Sequence, residues 1–310
     1  MEKIKRYKGC LLGLAIGDAL GTTLEFQPPG SFEPITNIIG GGPFNLMPGQ
    51  WTDDTSMALC LAESLIECKG FNLIDQLKRY VRWYREGHFS STGTCFDIGN
   101  TIRSALIRFE KEAKPYCGST EQYSAGNGSI MRLAPVPLFY GNDSSKAIEK
   151  SGESSRTTHG LKVCIDACKY FGGLIVGVLN GATKEEILSE NYRPDGTKWT
   201  EKELVPEIFE ITCGSFKMRE PPDIKGSGYV VKSLEAALWS LYNSDSFKKG
   251  CLLAVNLGDD ADTTGAVYGQ IAGAYYGIQN IPKAWLKKLV YRQLIEQVAE
   301  RIYKLSKDVT

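Results

Sequence analysis

Two short segments hold more carboxylates than helix architecture alone requires. Trp51-Thr52-Asp53-Asp54-Thr55 stands just before the apolar run Met57 to Ile66, and Gly258-Asp259-Asp260-Ala261-Asp262-Thr263-Thr264 stands just before a run of evenly spaced glycines. Asp and Thr are favoured helix N-caps, and an acid in the first turn gains ~0.3 to 1 kcal/mol from the helix dipole. One cap needs one side chain, however, and Asp259, Asp260 and Asp262 crowd three acids together. Like charges so close are best tolerated around a cation. Carboxylates and threonine hydroxyls are hard oxygen donors, suited to Mg2+ or Mn2+ rather than to zinc or copper. If the two helix starts converge they form a two-metal site, with ions roughly 3.5 to 4 Å apart holding a pair of substrate oxygens and a water for displacement.

A third segment, Tyr123-Ser124-Ala125-Gly126-Asn127-Gly128-Ser129-Ile130-Met131-Arg132, sets two glycines around an asparagine. The glycines allow positive φ, so successive backbone N–H groups can face one way and cradle a phosphate-like anion. An ordinary Asn-Gly turn is the plainer alternative. The spacing is not that of a P-loop, and no GxGxxG follows a strand.

The elements that must position these residues read as helices. Ile74, Leu77, Val81 and Tyr84 form an apolar stripe at helical spacing, and Leu234, Ala237, Leu238 and Leu241 form another. Leu286, Leu289, Val290, Leu294, Val298, Ile302 and Leu305 predict one long last helix behind Pro282. Alternating strand patterns are scarce and no linker interrupts the chain, so a single all-α domain over residues 1–310 is the expectation. The irregular stretches are Gln27 to Gln50, Lys114 to Gly128 and Asn191 to Gly228. Gly9, Gly13, Gly17 and Gly21 recur every fourth residue, as do Gly265, Gly269, Gly273 and Gly277, which on a helix puts each set along one face. Each glycine inside a helix costs roughly 0.5 to 1 kcal/mol against alanine, so close helix packing must offset it. Either that packing is the whole reason, or the two glycine helices lie together beneath a shared site.

Composition narrows the function classes. The 310 residues include 36 Lys plus Arg and 36 Asp plus Glu, a zero balance that argues against a basic nucleic-acid binder. With 42% hydrophobic and 23% charged residues the chain is an ordinary globular protein rather than a disordered one. The longest apolar stretch, Phe171 to Leu179, is far short of the ~20 residues of a membrane span. Lys3, Lys5, Arg6 and Lys8 before Cys10 to Ile16 imitate a secretory signal, but Asp18 closes the apolar run and a first helix is the better reading. The nine scattered cysteines, without a CxxC, read as reduced cytoplasmic thiols, and His88 and His159 are too few for a structural zinc site.

Gly9 to Gly21, Thr52 to Thr55, Gly126 to Arg132, Thr158-His159 and Gly258 to Thr263 resemble, in order and over nearly the whole chain, the motifs of the ADP-ribosylglycohydrolases. Cys95-Phe96-Asp97-Ile98-Gly99-Asn100-Thr101 is most similar to the dinitrogenase reductase activating glycohydrolase branch, which acts on ADP-ribosylated arginine. The resemblance implies a compact orthogonal helical bundle and a binuclear Mg2+ or Mn2+ centre that holds the ribose diol. Thr52, Asp53 and Asp54 would bind one ion, Asp260 and Thr263 the other, and Asp262 both, while Asp259 receives no role. Glu25 matches the family's acid near the reacting ribose, Ser124, Gly126, Asn127 and Gly128 its diphosphate wrap, and His159 its ligand-contacting histidine. Asn100 belongs with the substrate-binding set, and Tyr229 is either an adenine-stacking ring or a core tyrosine.

Asp97 is the expected determinant of substrate choice, because a carboxylate pairs bidentately with a planar guanidinium. A turn aspartate before Gly99 is the alternative. The implied reaction is metal-dependent hydrolysis of the bond between ADP-ribose and an arginine nitrogen, reversing mono-ADP-ribosylation of a protein and releasing ADP-ribose, with Asp54 or Glu25 activating water. The alternatives are hydrolysis at serine, a nucleic-acid base or a free ADP-ribose derivative, and a non-catalytic relative that only binds. The chain is expected to work as a cytoplasmic monomer with no membrane or nucleic-acid partner.

Overall fold

The computed structural model describes residues 1–308 and contains fifteen α-helices and three short 3-10 turns, with only isolated β-bridges among the described residues. In chain order the helices are α1 (Lys3–Gly21), α2 (Asp53–Glu67), α3 (Leu73–Glu86), α4 (Asn100–Glu112), α5 (Pro135–Phe139), α6 (Ser144–Ser155), α7 (Lys162–Leu179) and α8 (Lys184–Ile187). They continue as α9 (Pro206–Thr212), α10 (Ser215–Met218), α11 (Val230–Tyr242), α12 (Phe247–Val255), α13 (Ala261–Tyr276), α14 (Lys283–Lys288) and α15 (Arg292–Leu305). No helix among them is long and apolar enough to cross a membrane.

The centre of the molecule is the antiparallel pair α1 and α13. Gly9, Gly13 and Gly17 lie against the backbone of Gly273, Gly269 and Gly265, so a methyl group on any of them would overlap the opposing carbonyl. Both helices are buried nearly all round. Their apolar residues extend around the circumference rather than along one stripe, as a central helix requires. The backbone contact lets dispersion and burial offset the glycine cost. One end of the ladder departs from the expected pattern. Gly21 faces Ala261 rather than a glycine, and Gly277 lies beyond α13 at φ 74°, ending the helix instead of extending its face.

Three further expectations are corrected. The last helix is broken into α14 and α15, because Val290 turns aside to donate its N–H to the Gly49 carbonyl at 3.1 Å and Tyr291 takes φ 49°. In α3 the fully buried side chains are Gln76, Leu77, Tyr80 and Trp83, so the stripe is rotated away from Ile74, Val81 and Tyr84, which pack half-buried at its edge. The aromatic rings outcompete the aliphatic stripe because they bury the larger area. The stretch from Asn191 to Gly228 is not wholly irregular, since it contains α9 and α10. The other two irregular stretches remain almost free of helix and frame the site described next.

Candidate active site

The starts of α2 and α13 do meet, and α1 with the turn after it holds both. Asp18 of α1 accepts four hydrogen bonds from the start of α2: Oδ1 from Thr52 N (2.8 Å) and Oγ1 (3.0 Å), and Oδ2 from Thr55 N (3.0 Å) and Oγ1 (2.6 Å). Glu25, one turn beyond α1, does the same for α13, with Oε2 accepting from Ala261 N at 3.0 Å and Asp262 N at 3.5 Å. Neither Thr52 nor Asp260, at the cap positions, makes a side-chain cap bond of its own. Asp262 Oδ1 accepts from the Thr263 N–H at 2.7 Å, but the amides at the very start of each helix go to remote carboxylates. Asp53, Asp54 and Asp260 are left for other work, and the Thr263 hydroxyl donates to Asp54 Oδ1 at 3.3 Å across the junction.

This concentration of charge has no internal counterion. None of the ion pairs among the described residues includes Asp18, Glu25, Asp53, Asp54, Asp97, Asp260 or Asp262. Burial, then the Asp262 charge, raises the Asp18 and Asp260 carboxyls to about 7 and holds Asp53 and Asp54 well above the usual carboxylate range. Glu25 is raised by the same two causes, and Asp97 to about 11. One carboxylate oxygen each from Glu25, Asp97 and Asp262 lies within 4.8 Å of the other two. Asp54 Oδ2 is buried with no hydrogen-bond partner at all. An orphaned carboxylate oxygen among uncompensated hard donors fits a divalent cation.

Above these acids opens a cleft of about 330 Å³. Glu25, Asp53, Asp97, Asp260, Asp262 and Thr263 form its acidic side; Asn100, Gly126, Asn127, Gly128, Met131 and His159 face them. Thr52 and Asp54 lie beneath this lining. Asp97 sits at φ 58°, a left-handed conformation that aspartate tolerates better than most residues. Asn100 opens α4 and is exposed at the mouth.

The Gly126–Gly128 loop differs from the expected anion nest. Neither glycine has positive φ. Each packs against the His159 ring: a Cβ at Gly126 would lie 3.2 Å from His159 Nε2, and one at Gly128 2.7 Å from Ile102 Cδ1 and 2.9 Å from His159 Cε1. The Asn127 N–H donates to Gly228 O at 3.0 Å, and its side-chain Nδ2 donates to Asp260 Oδ2 at 2.9 Å. Asn127 thus orients an acid of the site. Ser124 lies off the cleft, its hydroxyl donating to the carbonyls of Glu121 (2.6 Å) and Ser119 (3.3 Å). Tyr229 is bridged by its backbone to Gly126 and is 38% exposed, so it is not a core tyrosine. His159 lies buried between α6 and α7, and burial, then the Arg132 charge, pushes it down to about 3.

These observations define an all-α scaffold with two acid-bearing helix starts beneath a cleft. A family model described as ADP-ribosylglycohydrolase matches residues 1–309. The chain belongs to the ADP-ribosylglycohydrolase family. The ADP-ribosylarginine hydrolase Tri1 of Serratia proteamaculans is 43% identical over 98% of this chain and 81% of its own length. The ADP-ribosyl-(dinitrogen reductase) glycohydrolase of Rhodospirillum rubrum is 32% identical, covering 94% of each. A solved ADP-ribosylglycohydrolase-related protein complex matches with TM-score 0.87 and 42% identity over 98% of this chain and 99% of that one.

Several site residues of this ADP-ribosylglycohydrolase carry no local signal. Asp18 sits among apolar and glycine residues, and only its unusual company in a buried helix marks it. Asp259 takes φ 60°; its N–H donates to Gln27 O and its carbonyl accepts from Phe26 N, both at 2.7 Å. Its backbone anchors the Glu25 loop, which accounts for an acid with no place among the others. Phe26, 62% exposed, projects at the cleft mouth beside Phe44 and Phe96, with successive ring centroids 6.2 and 5.3 Å apart. Three separate segments build this aromatic chain, of which Phe26 lines the cleft, so no single motif announces it.

Proposed function

We propose that this chain is a divalent-metal-dependent hydrolase that removes ADP-ribose from arginine side chains of modified proteins. The observation that carries the reading is the carboxylate of Asp97, set beside those of Glu25 and Asp262 in a cleft that Phe26 also lines. A planar cation is what such a cleft suits: carboxylates accept the guanidinium and aromatic faces attract it. The 43% identical Serratia relative bears the name of an arginine-directed hydrolase, which supports the same substrate.

Thr52, Asp53 and Asp54 would hold one Mg2+ or Mn2+ ion, Asp260 and Thr263 a second, and Asp262 both. The Thr52 hydroxyl proton is directed at Asp18, leaving its lone pairs free for a cation. Bound there, the ions would supply the positive field that neutralises the acids and holds the ribose hydroxyls. Glu25 lines the cleft whereas Asp54 lies beneath it, so we assign water activation to Glu25. Its Oε2 is occupied by the α13 amides, and Oε1 takes the proton from the attacking water. The water oxygen bonds to the anomeric carbon as the C–N bond breaks, with the electron pair passing to the guanidine nitrogen. The proton held at Glu25 then returns to that nitrogen, restoring guanidinium. The surrounding carboxylates stabilise the oxocarbenium character between these events.

ADP-ribose release from matched arginine-linked and serine-linked substrates, with Mg2+, with Mn2+ and with chelator, tests the reading. Chelator-sensitive release from arginine alone is expected. Release from serine, or from neither, overturns it. Asp97→Asn should weaken the arginine-linked substrate more than others, and an equal loss on every linkage would remove Asp97 from specificity. We further propose one domain acting as a cytoplasmic monomer; nine unpaired cysteines suit a reducing compartment.

A further inference from the structure

Arg132 is wholly buried, and no ion pair among the described residues includes it. Its guanidinium lies over the Tyr80 ring, 4.7 Å from the centroid; Nε is buried without a hydrogen-bond partner, and the terminal nitrogens donate to neutral oxygens. Nη1 donates to Gly128 O at 2.6 Å; Nη2 donates to Thr157 Oγ1 at 3.1 Å and to Thr158 Oγ1 at 2.7 Å. A buried cation facing only neutral groups is costly and calls for a reason.

The reason lies one bond further along. Thr158 Oγ1 is 2.9 Å from His159 Nδ1. Guanidinium nitrogens only donate, so Thr158 accepts from Arg132, and Nδ1 is the one acceptor within reach of its own buried proton among the described residues. Nδ1 is then an acceptor, and the neutral ring carries its proton on Nε2. Nε2 has no hydrogen-bond partner within the described residues, and the ring lines the cleft opposite the acids. We infer that Arg132 and Thr158 are positioning residues that fix His159 as a neutral Nε2–H donor to an anionic oxygen of the bound ligand. That this oxygen belongs to the diphosphate of ADP-ribose rests on the proposed function; the tautomer does not.

The arrangement suits a site that must hold a polyanion above a pool of carboxylates. The fixed positive charge sits one residue behind the donor, where it favours the anion while Arg132 ties down Gly128.

The chain has two histidines, which makes the test direct. In 15N-histidine spectra of the Mg2+-loaded full chain, His88→Gln identifies the His159 signals. Expected are an unprotonated Nδ1, a protonated Nε2, and an Nε2 signal that moves on adding ADP-ribose. Thr158→Val should mix the tautomers and weaken ADP-ribose by about tenfold, the worth of one hydrogen bond, and Thr158→Ser should restore both. A wild-type ring protonated on Nδ1 overturns the inference, as does an Nε2 signal unmoved by ADP-ribose that binds. If Nε2 responds but arginine-linked substrate is not cleaved, the proposed function fails and this inference stands.

Discussion

The starts of α2 and α13 are two versions of one device. Each carries acids at its start, each lacks a bond from its own N-cap side chain, and each receives one from α1 or the turn after it. The cap of α2 is sealed although Asp53 reaches the cleft: Asp18 is 0% exposed and both its oxygens accept hydrogen bonds. At the α13 start Glu25 lines the cleft, and only one of its oxygens is tied to the helix. Where the capping carboxylate is closed off it can only hold structure; where one oxygen stays free, the same contact places a reactive group beside substrate. Capping from a distance thus has two products, a set of released local acids and, on one side, an aimed one.

Exchanging the roles of the two starts would break this comparison. The largest effect is expected at the released acids themselves. Asp53→Ala or Asp260→Ala should lower Mg2+-dependent release of ADP-ribose by more than about 100-fold, exceeding the loss typical of outer-shell partners. Activity like wild type in either sinks the metal reading. Glu25→Gln should cut kcat by about 100-fold or more, as expected for a general base, while the folded state persists because Gln can still accept at one oxygen. Asp18→Asn should do the reverse. It sets an amide NH2 against the Thr55 N–H, and should cost about 1 to 3 kcal/mol in denaturant unfolding and weaken metal affinity about tenfold. If Glu25→Gln unfolds the protein and Asp18→Asn only slows turnover, the comparison is inverted.

A smaller, graded effect should follow pH. Asp18 and Asp260 bind protons more tightly folded than unfolded, with folded values near 7 against an ordinary 3.8. Their contribution to stability is fully present below about 3.8 and lost as pH rises through about 7. In chelator, the thermal midpoint should carry this loss between those limits, and added Mg2+ should raise the midpoint more at pH 8 than at pH 5. An Mg2+ shift equal at both pH values would show that these acids do not meet the ion. Gly13→Ala tests the frame both starts share rather than either site: its methyl would overlap the Gly269 carbonyl, and prising α1 from α13 should cost about 3 kcal/mol or more in denaturant unfolding.

Sequence alone exposed the parts of this site that are local. Asp53-Asp54 and Asp260-Ala261-Asp262 are dense enough to be noticed without a structure, and the glycine spacing exposed the two central helices. Partners chosen across the chain stayed hidden. Nothing near Thr52 points to Asp18, and nothing near Asn127 points to Asp260, because those pairings depend on how α1 and α13 cross the core. Gly126 and Gly128 were visible as a pair, but the ring they pack against comes from His159, well outside the loop. The break before α15 was hidden for the same reason, since the carbonyl that draws Val290 aside belongs to Gly49.

The glycine seam between α1 and α13 also sets an order of assembly. Glu25 and Ala261 lie 236 residues apart, so α1 leaves the ribosome long before α13 can cover its bare backbone. Closing so long a loop slows folding, and in the interval a chain with exposed glycine and apolar surface is vulnerable to misassociation. Until α13 docks, Glu25 has no amides to hold and Asp54 has no Thr263 above it. Synthesis of α13 is therefore the event that switches the nascent chain from scaffold to site.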